Sequence, residues 1–222
     1  YCKKCDRYQT VPLGCNSRLC SDCGKRYTDK WAERLAGKVA KGINHRHLTF
    51  SLPIELRLPI KQNRYLQKII SDSAFKAVKK VFSKIKHRAL MPGFIGVVHP
   101  FGKDLKFNPH VHGIVTEGGF AKDGKFIQLG SYIPYDLLHK EWQYEVLTSL
   151  KKYLSEQLIN QLFKKYQNGF AAYVKPERIK SHKQLAKYLG RYVRHPAIAN
   201  SRIEKYDGKV VGFIMKTMNG TF

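Results

Sequence analysis

Residues 94–115 read FIGVVHPFGKDLKFNPHVHGIV. Two apolar, β-branched runs flank a Gly-Lys-Asp turn, so the stretch predicts an antiparallel hairpin with strands at 94–100 and 105–115. A lone hairpin is marginal in water and needs further strands and a cover. The sequence offers both. HRHLTFSLP (45–53) reads as a strand stopped by Pro53, GFAAYVKP (169–176) as another, and 201–215 as a hairpin around Asp207-Gly208. Helical spacing predicts helices over 27–41 with Asp29 as cap, over 63–87, over 135–165 in one or two pieces, and over 181–194, stopped before Pro196. Hairpins alternating with helices imply an α+β fold, an antiparallel sheet flanked by helices.

Along a strand, residues two apart share a face. His110 and His112 therefore project together, while Val111 turns to the core. Two imidazoles on one face offer two nitrogen ligands to a divalent ion and leave open the positions that catalysis needs. Paired histidines also occur as structural residues, and the chain carries a rival, His45-Arg46-His47, whose polar centre suits a buried site less well. A third ligand is expected from a neighbouring strand, with His99 first, Asp104 second and His47 third.

All five cysteines lie within the first 23 residues. Cys2-x2-Cys5 and Cys20-x2-Cys23 form a spaced pair of CxxC knuckles, which predicts a structural zinc in a ribbon-like site held by Cys2, Cys5, Cys20 and Cys23. Gly24 follows the second pair, where a knuckle favours positive φ. Cys15 either replaces a member of the first pair or simply packs. A disulfide framework is the alternative, disfavoured by the cysteine-poor remainder. Residues 1–28 are assigned to this small knuckle domain and 29–222 to the main one.

With 41 Lys and Arg against 16 Asp and Glu, the formal net charge is +25. The cations are spread along the chain, which predicts a basic folded surface for nucleic acid. No stretch approaches the ~20 apolar residues of a membrane span, and no secretory signal is visible. The chain begins at Tyr1 without Met and is read as a piece of a longer protein.

The stretch KQLAKYLGRYVRHP sorts into columns of residues four apart. Leu185, Leu189 and Val193 form the apolar column, and Gln184, Tyr188 and Tyr192 the next. Lys183, Lys187 and Arg191 form a cationic one, extended by Lys180 and Arg194. A phenol at such a border can act as a nucleophile toward a phosphate held by the cations, and Gln184 could add a ligand to the same ion. The bland alternative is amphipathic packing with wet tips.

Taken in order, four stretches carry a family likeness: SRLCSDCGKR, HLTFSLPIELR, HPFGKDLKFNPHVHGIV and YLGRYVRHPAIANSRI. The chain resembles the HUH endonuclease superfamily, named for two histidines around a hydrophobic residue. Within it, the chain looks like the two-tyrosine transposases of the IS91 type, relatives of the Helitron and common-region element enzymes. The likeness implies a Rep-like sheet of about five strands with the histidines on a central strand. It implies that Tyr188 or Tyr192 attacks single-stranded DNA, leaving a 5′-phosphotyrosine and a free 3′-OH, with a divalent ion, Mg or Mn, held by His110 and His112, to which His99 is the third ligand expected above. The second tyrosine would serve a second cleavage or the strand exchange of rolling-circle-like transposition. Lys183, Lys187, Arg191 and Arg194 would hold DNA, with transposon ends as partner and the bacterial cytoplasm, beside the nucleoid, as location. A replication initiator or relaxase on the same scaffold, or a non-catalytic zinc-containing binding module, are the competing readings. Relatives carry a further His near the last cysteine pair, where this chain has Leu19, and continue beyond the last hairpin.

Overall fold

The computed structural model describes residues 1–8, 14–15, 20–39, 42–102, 104–130, 133–192, 202–214, 216–217 and 220–221. Their order is α1 (Ser21–Ala36), β1 (His45–Ser51), a 3-10 turn (Ile54–Leu56), α2 (Arg57–Gln62), α3 (Leu66–Ile85), β2 (Met91–Phe101) and β3 (Phe107–Phe120). There follow β4 (Phe126–Gln128), α4 (Tyr135–Leu150), α5 (Glu156–Lys165), β5 (Ala172–Val174), α6 (His182–Tyr192), β6 (Ile203–Tyr206) and β7 (Val211–Phe213). Two short strands, β8 (Lys216–Thr217) and β9 (Gly220–Thr221), pair with each other.

The main sheet is antiparallel, in the order β2-β3-β1-β5, with β4 paired to the far end of β3. The long β2–β3 hairpin forms one side of the sheet, with β2 at the edge and β3 inside, Val98 opposite Val111 and His99 opposite His110. The 201–215 hairpin forms a separate two-stranded ribbon, and the fifth position goes to β4, whose three residues are too few to show a period in sequence.

One face of the sheet is dry. Leu48, Phe50, Val111 and Val115 are fully buried against Ile70, Val78 and Val81 of α3 and Trp142 and Val146 of α4. The Trp142 indole also donates to the Ser51 carbonyl at 2.8 Å, tying α4 to β1. Close approach on this face needs glycine: a Cβ on Gly113 would lie 2.5 Å from the Phe94 ring, and one on its cross-strand partner Gly96 would lie 2.6 Å from it. The glycine after the histidine pair therefore makes room for an aromatic on the far side of the strand.

The other face is covered by α1 and α6. Leu185 and Leu189 of α6 and Ala32 and Ala36 of α1 pack with Ile114 and Ile179 in a second, smaller core. Here the helix expected over 27–41 starts at Ser21, because the second CxxC opens the helix instead of preceding it. Gly24 is accordingly helical, donating to the Cys20 carbonyl at 2.7 Å, and Asp29 sits mid-helix in an ion pair with Lys25. The boundary drawn at residue 28 falls inside this helix.

Candidate active site

Three antiparallel strands set the site by register. His110 lies opposite His99 on one side and Ser51 on the other, and His112 lies opposite Val97 and Thr49. Directly opposed residues share a face, so β2 delivers His99 to the face of His110 and His112. The ligand atoms of these three imidazoles all lie within 4.8 Å of one another. Asp104, the second candidate, instead caps its own turn, accepting from the Lys106 backbone N–H at 3.2 Å.

The rings are oriented by bonds outside the cluster. His110 Nδ1 donates to the Asn108 carbonyl at 2.8 Å, which leaves the Nε2 lone pair for a ligand. His110 Nε2 stands 3.1 Å from His112 Nε2, so both nitrogens face one point. On its other side His112 Nδ1 meets His47 Nε2 at 2.8 Å and Thr49 Oγ1 at 3.4 Å, and the His47 and His112 rings stack with centroids 5.0 Å apart. His47, ranked last among the candidate ligands, thus sits behind His112 and not in the cluster of three. The sequence signal for it is period 2 alone: His45, His47 and Thr49 share the face of His112, and only the pairing of β1 with β3 shows which one meets it.

Burial, and then the charge of Lys175 and His99, lowers the His47 pKa to about 3. Burial, and then His99, His110 and other cations, lowers that of His112 to about 2. Both imidazoles are therefore neutral near pH 7, the state a metal ligand requires.

Tyr188 reaches His47, on the far side of His112 from the cluster. Its ring lies 4.9 Å from the His47 ring, with the Lys175 ammonium 5.7 Å from its centroid. Beside it is a pocket of about 320 Å³ whose lining includes His47, Lys175, Arg178, Lys187 and Tyr188. Lys183 and Lys187 are exposed on α6. Tyr192 and Arg191 belong to the helix backbone, but their side chains, and all of Val193 and Arg194, lie outside the described residues.

Gln184 does not point to the cluster. Ser181 Oγ accepts from the Gln184 N–H at 3.2 Å, while Gln184 Oε1 accepts from the N–H groups of Lys180 (2.9 Å) and Ser181 (3.3 Å). This is a capping box, and it spends the amide oxygen on the start of the helix. The segment before α6 is pinned from below as well. The buried Glu117 carboxylate binds Arg46 Nε at 2.5 Å and Arg178 Nε at 2.9 Å, and Arg46 also donates to the Pro176 carbonyl. The arginine at the centre of the rival His-x-His thus anchors the strand-to-helix connection that carries Tyr188.

At the N-terminus the sulfurs of Cys15, Cys20 and Cys23 converge within 4.8 Å. Cys15 and Cys23 are 3.7 Å apart, close to the roughly 3.8 Å expected between two thiolates on tetrahedral zinc. The Cys2 thiol is acidified by its neighbour Cys5, and neither belongs to that group of three. None of the five is in a disulfide. Among the described residues no helix is long and apolar enough to cross a membrane.

Comparison with known proteins adds a family context. Residues 93–221 match the family model described as "Putative transposase", and residues 1–52 match that of a "Transposase zinc-binding domain". The chain is 28% identical over 211 residues to the "Transposase for insertion sequence element IS801" of Pseudomonas savastanoi pv. phaseolicola, covering 86% of this chain and 49% of that protein. It is 24% identical over 235 residues to "Putative transposase y4qJ" of Sinorhizobium fredii, covering 97% and 58%. It therefore spans about half the length of the curated relatives it matches. Among solved structures, the conjugative relaxase TrwC in complex with oriT DNA is similar over 70% of this chain and 67% of that one. The identity is 16% and the TM-score 0.33, too slight a likeness to carry an argument.

Proposed function

Because the chain belongs to the transposase family whose model covers its residues 93–221, we propose that it nicks and rejoins single-stranded DNA at the ends of a mobile element, with Tyr188 as a nucleophile. The observation that carries this reading is the convergence of Tyr188, across His47, on an imidazole cluster that could hold one cation.

The donor set fits a metal. Three imidazoles suit a transition ion, so of the two ions expected from the sequence Mn²⁺ fits better than Mg²⁺, which prefers oxygen ligands. When bound at His99, His110 and His112, such an ion supplies charge to polarise the scissile phosphate. The chain's own groups do the rest. Lys175 and Lys187, lining the pocket, attract the backbone phosphates. The Tyr188 oxygen attacks phosphorus, the P–O3′ bond breaks, and the phenolic proton passes to the departing 3′ oxygen. A 5′-phosphotyrosine and a free 3′-OH result. The ester conserves the bond energy, so reversal by another 3′-OH rejoins the strand without a nucleotide cofactor. Tyr192, one helical turn on, serves the second cleavage or the exchange.

Zinc at the N-terminus is assigned to Cys15, Cys20 and Cys23, with the Cys2-Cys5 pair supplying the fourth thiolate. This refines the four-cysteine set of the first reading and keeps residues 1–28 as the knuckle. Its role is structural, since a closed thiolate site leaves no open position. An enzyme of this kind works in the bacterial cytoplasm beside the nucleoid.

Incubating the protein with single-stranded element ends and Mn²⁺, followed by mass spectrometry of the peptide carrying Tyr188 and Tyr192, tests the reading. A nucleotide adduct on that peptide is expected. Cleavage with no adduct on either tyrosine would assign the chemistry to water.

A further inference from the structure

The helices on the dry side of the sheet carry a feature that the nicking site does not use. Residues 57–88, which form α2 and α3, hold ten cations (Arg57, Lys61, Arg64, Lys68, Lys76, Lys79, Lys80, Lys84, Lys86, Arg88) and one acid, Asp72. The helix α4 lies antiparallel along α3: Lys84 pairs with Glu141 and Lys80 with Glu145, while Tyr65 and Tyr153 meet at the other end of the seam with ring centroids 6.3 Å apart. Between the helices runs a groove of about 900 Å³, whose lining includes Lys76, Lys79, Lys80, Lys84 and Tyr144.

The acids of this groove are at its floor. Glu141 and Glu145 are buried and already satisfied by Lys84 and Lys80. Lys76 and Lys79 have no carboxylate partner among the described residues and leave the rim positive. Three tyrosines of the seam stay open to solvent, Tyr65 at 59%, Tyr144 at 49% and Tyr153 at 45%. A solvated helix face needs cations or short polar groups, not three exposed phenols. Cations that track a backbone, interleaved with aromatic faces that stack bases, are the chemistry of single-stranded nucleic acid binding.

We propose that the α3/α4 seam is a second binding surface for single-stranded DNA, on the face of the sheet opposite the imidazole cluster. From Tyr65 to Lys84 the helix rises about 28 Å, which matches roughly eight stacked nucleotides. A sheet and a helix layer separate the two faces, each about 10 Å thick. One short strand cannot occupy both, so the seam holds a different strand, or a distant part of the same one, while the imidazole face is occupied. The proposal does not depend on the nicking chemistry, because binding is read without added Mg²⁺ or Mn²⁺.

The test titrates the zinc-loaded protein with a fluorescein-labelled oligothymidylate of eight residues at low salt, with no Mg²⁺ or Mn²⁺ added. Two equivalents are expected to bind. The variant Lys76→Glu/Lys79→Glu/Tyr144→Ala should bind one, and in the parent the phase it loses should weaken steeply with added salt. It should keep the parent melting temperature and its Mn²⁺-dependent cleavage within about twofold. The pair Tyr65→Ala/Tyr153→Ala should weaken the second equivalent several-fold without changing its salt slope. Photocross-links from bromouridine oligonucleotide should map to α3 or α4 peptides. One equivalent on the parent protein, or two on the charge-reversed variant, would overturn the proposal. Tighter binding of an eight-base-pair duplex at the seam would overturn the single-strand assignment.

Discussion

The two faces of one sheet are built from the same strands and do opposite things. On β3, Val111 and Val115 turn into a dry interface with α3 and α4, while His110 and His112 turn toward α1 and α6. On β1, Leu48 and Phe50 are fully buried, while His47 and Thr49 line the imidazole face. The dry face anchors the strands that present the three imidazoles, whose ligand nitrogens lie within 4.8 Å of one another. The second face is covered only in part, so a pocket stays open beside Tyr188. Stability and chemistry are thus divided by the pleat, one residue apart.

The sharpest break of this comparison is at the proposed nucleophile. Changing Tyr188→Phe and Tyr192→Phe together should lower adduct formation by at least about 10³-fold while DNA affinity changes little. A denaturing gel of labelled oligonucleotide reads both forms, and an adduct that persists would move the chemistry off this helix.

Next come neighbouring residues on opposite faces. Val111→Asp places a charge in the dry core and should cost about 4 kcal/mol or more, read by urea unfolding. His110→Ala, one residue away, should cost less than about 1 kcal/mol yet abolish cleavage and Mn²⁺ binding, read by calorimetry. Equal stability losses at the two positions would erase the distinction between the faces.

A smaller effect is expected at the anchor under α6. Glu117→Ala leaves the guanidinium groups of Arg46 and Arg178 without their shared carboxylate, at a cost of about 3 kcal/mol. Because the loss lies in the connection to α6, cleavage should fall more than Mn²⁺ affinity does. The smallest effect belongs to the capping box. Gln184→Ala should cost about 1 kcal/mol and leave Mn²⁺ affinity unchanged, whereas a fall in affinity would restore Gln184 as a ligand.

Much of this was legible from local pattern. The hairpin, the helix of α3 and the shared face of His110 and His112 follow from periods of 2 and 3.6, which any one segment displays by itself. The helical stretch over 135–165 was legible as one piece or two, and the structure makes it two. The break comes from a cap at Ser155, whose hydroxyl accepts from the Leu158 N–H, and one serine among polar residues is a weak signal. The fifth strand had no signal in the sequence, because β4 is too short for a period and is made by pairing with β3. The knuckle spacing CxxC drew attention to four cysteines, whereas chain folding gathers Cys15 with Cys20 and Cys23.

What the sequence determined by itself is the chemistry of each short stretch: paired imidazoles on one strand face, phenols on the edge of one helix, thiols at one end, and cations throughout. Which of these meet was decided by tertiary structure. Strand register chose His99 over Asp104 and put His47 behind His112, and the packing of α6 on Ile114 brought Tyr188 alongside. The reason is one of range. Periodicity is a property of neighbours along the chain, while register and packing depend on contacts between segments tens of residues apart, and their free energy appears only once both partners are in place.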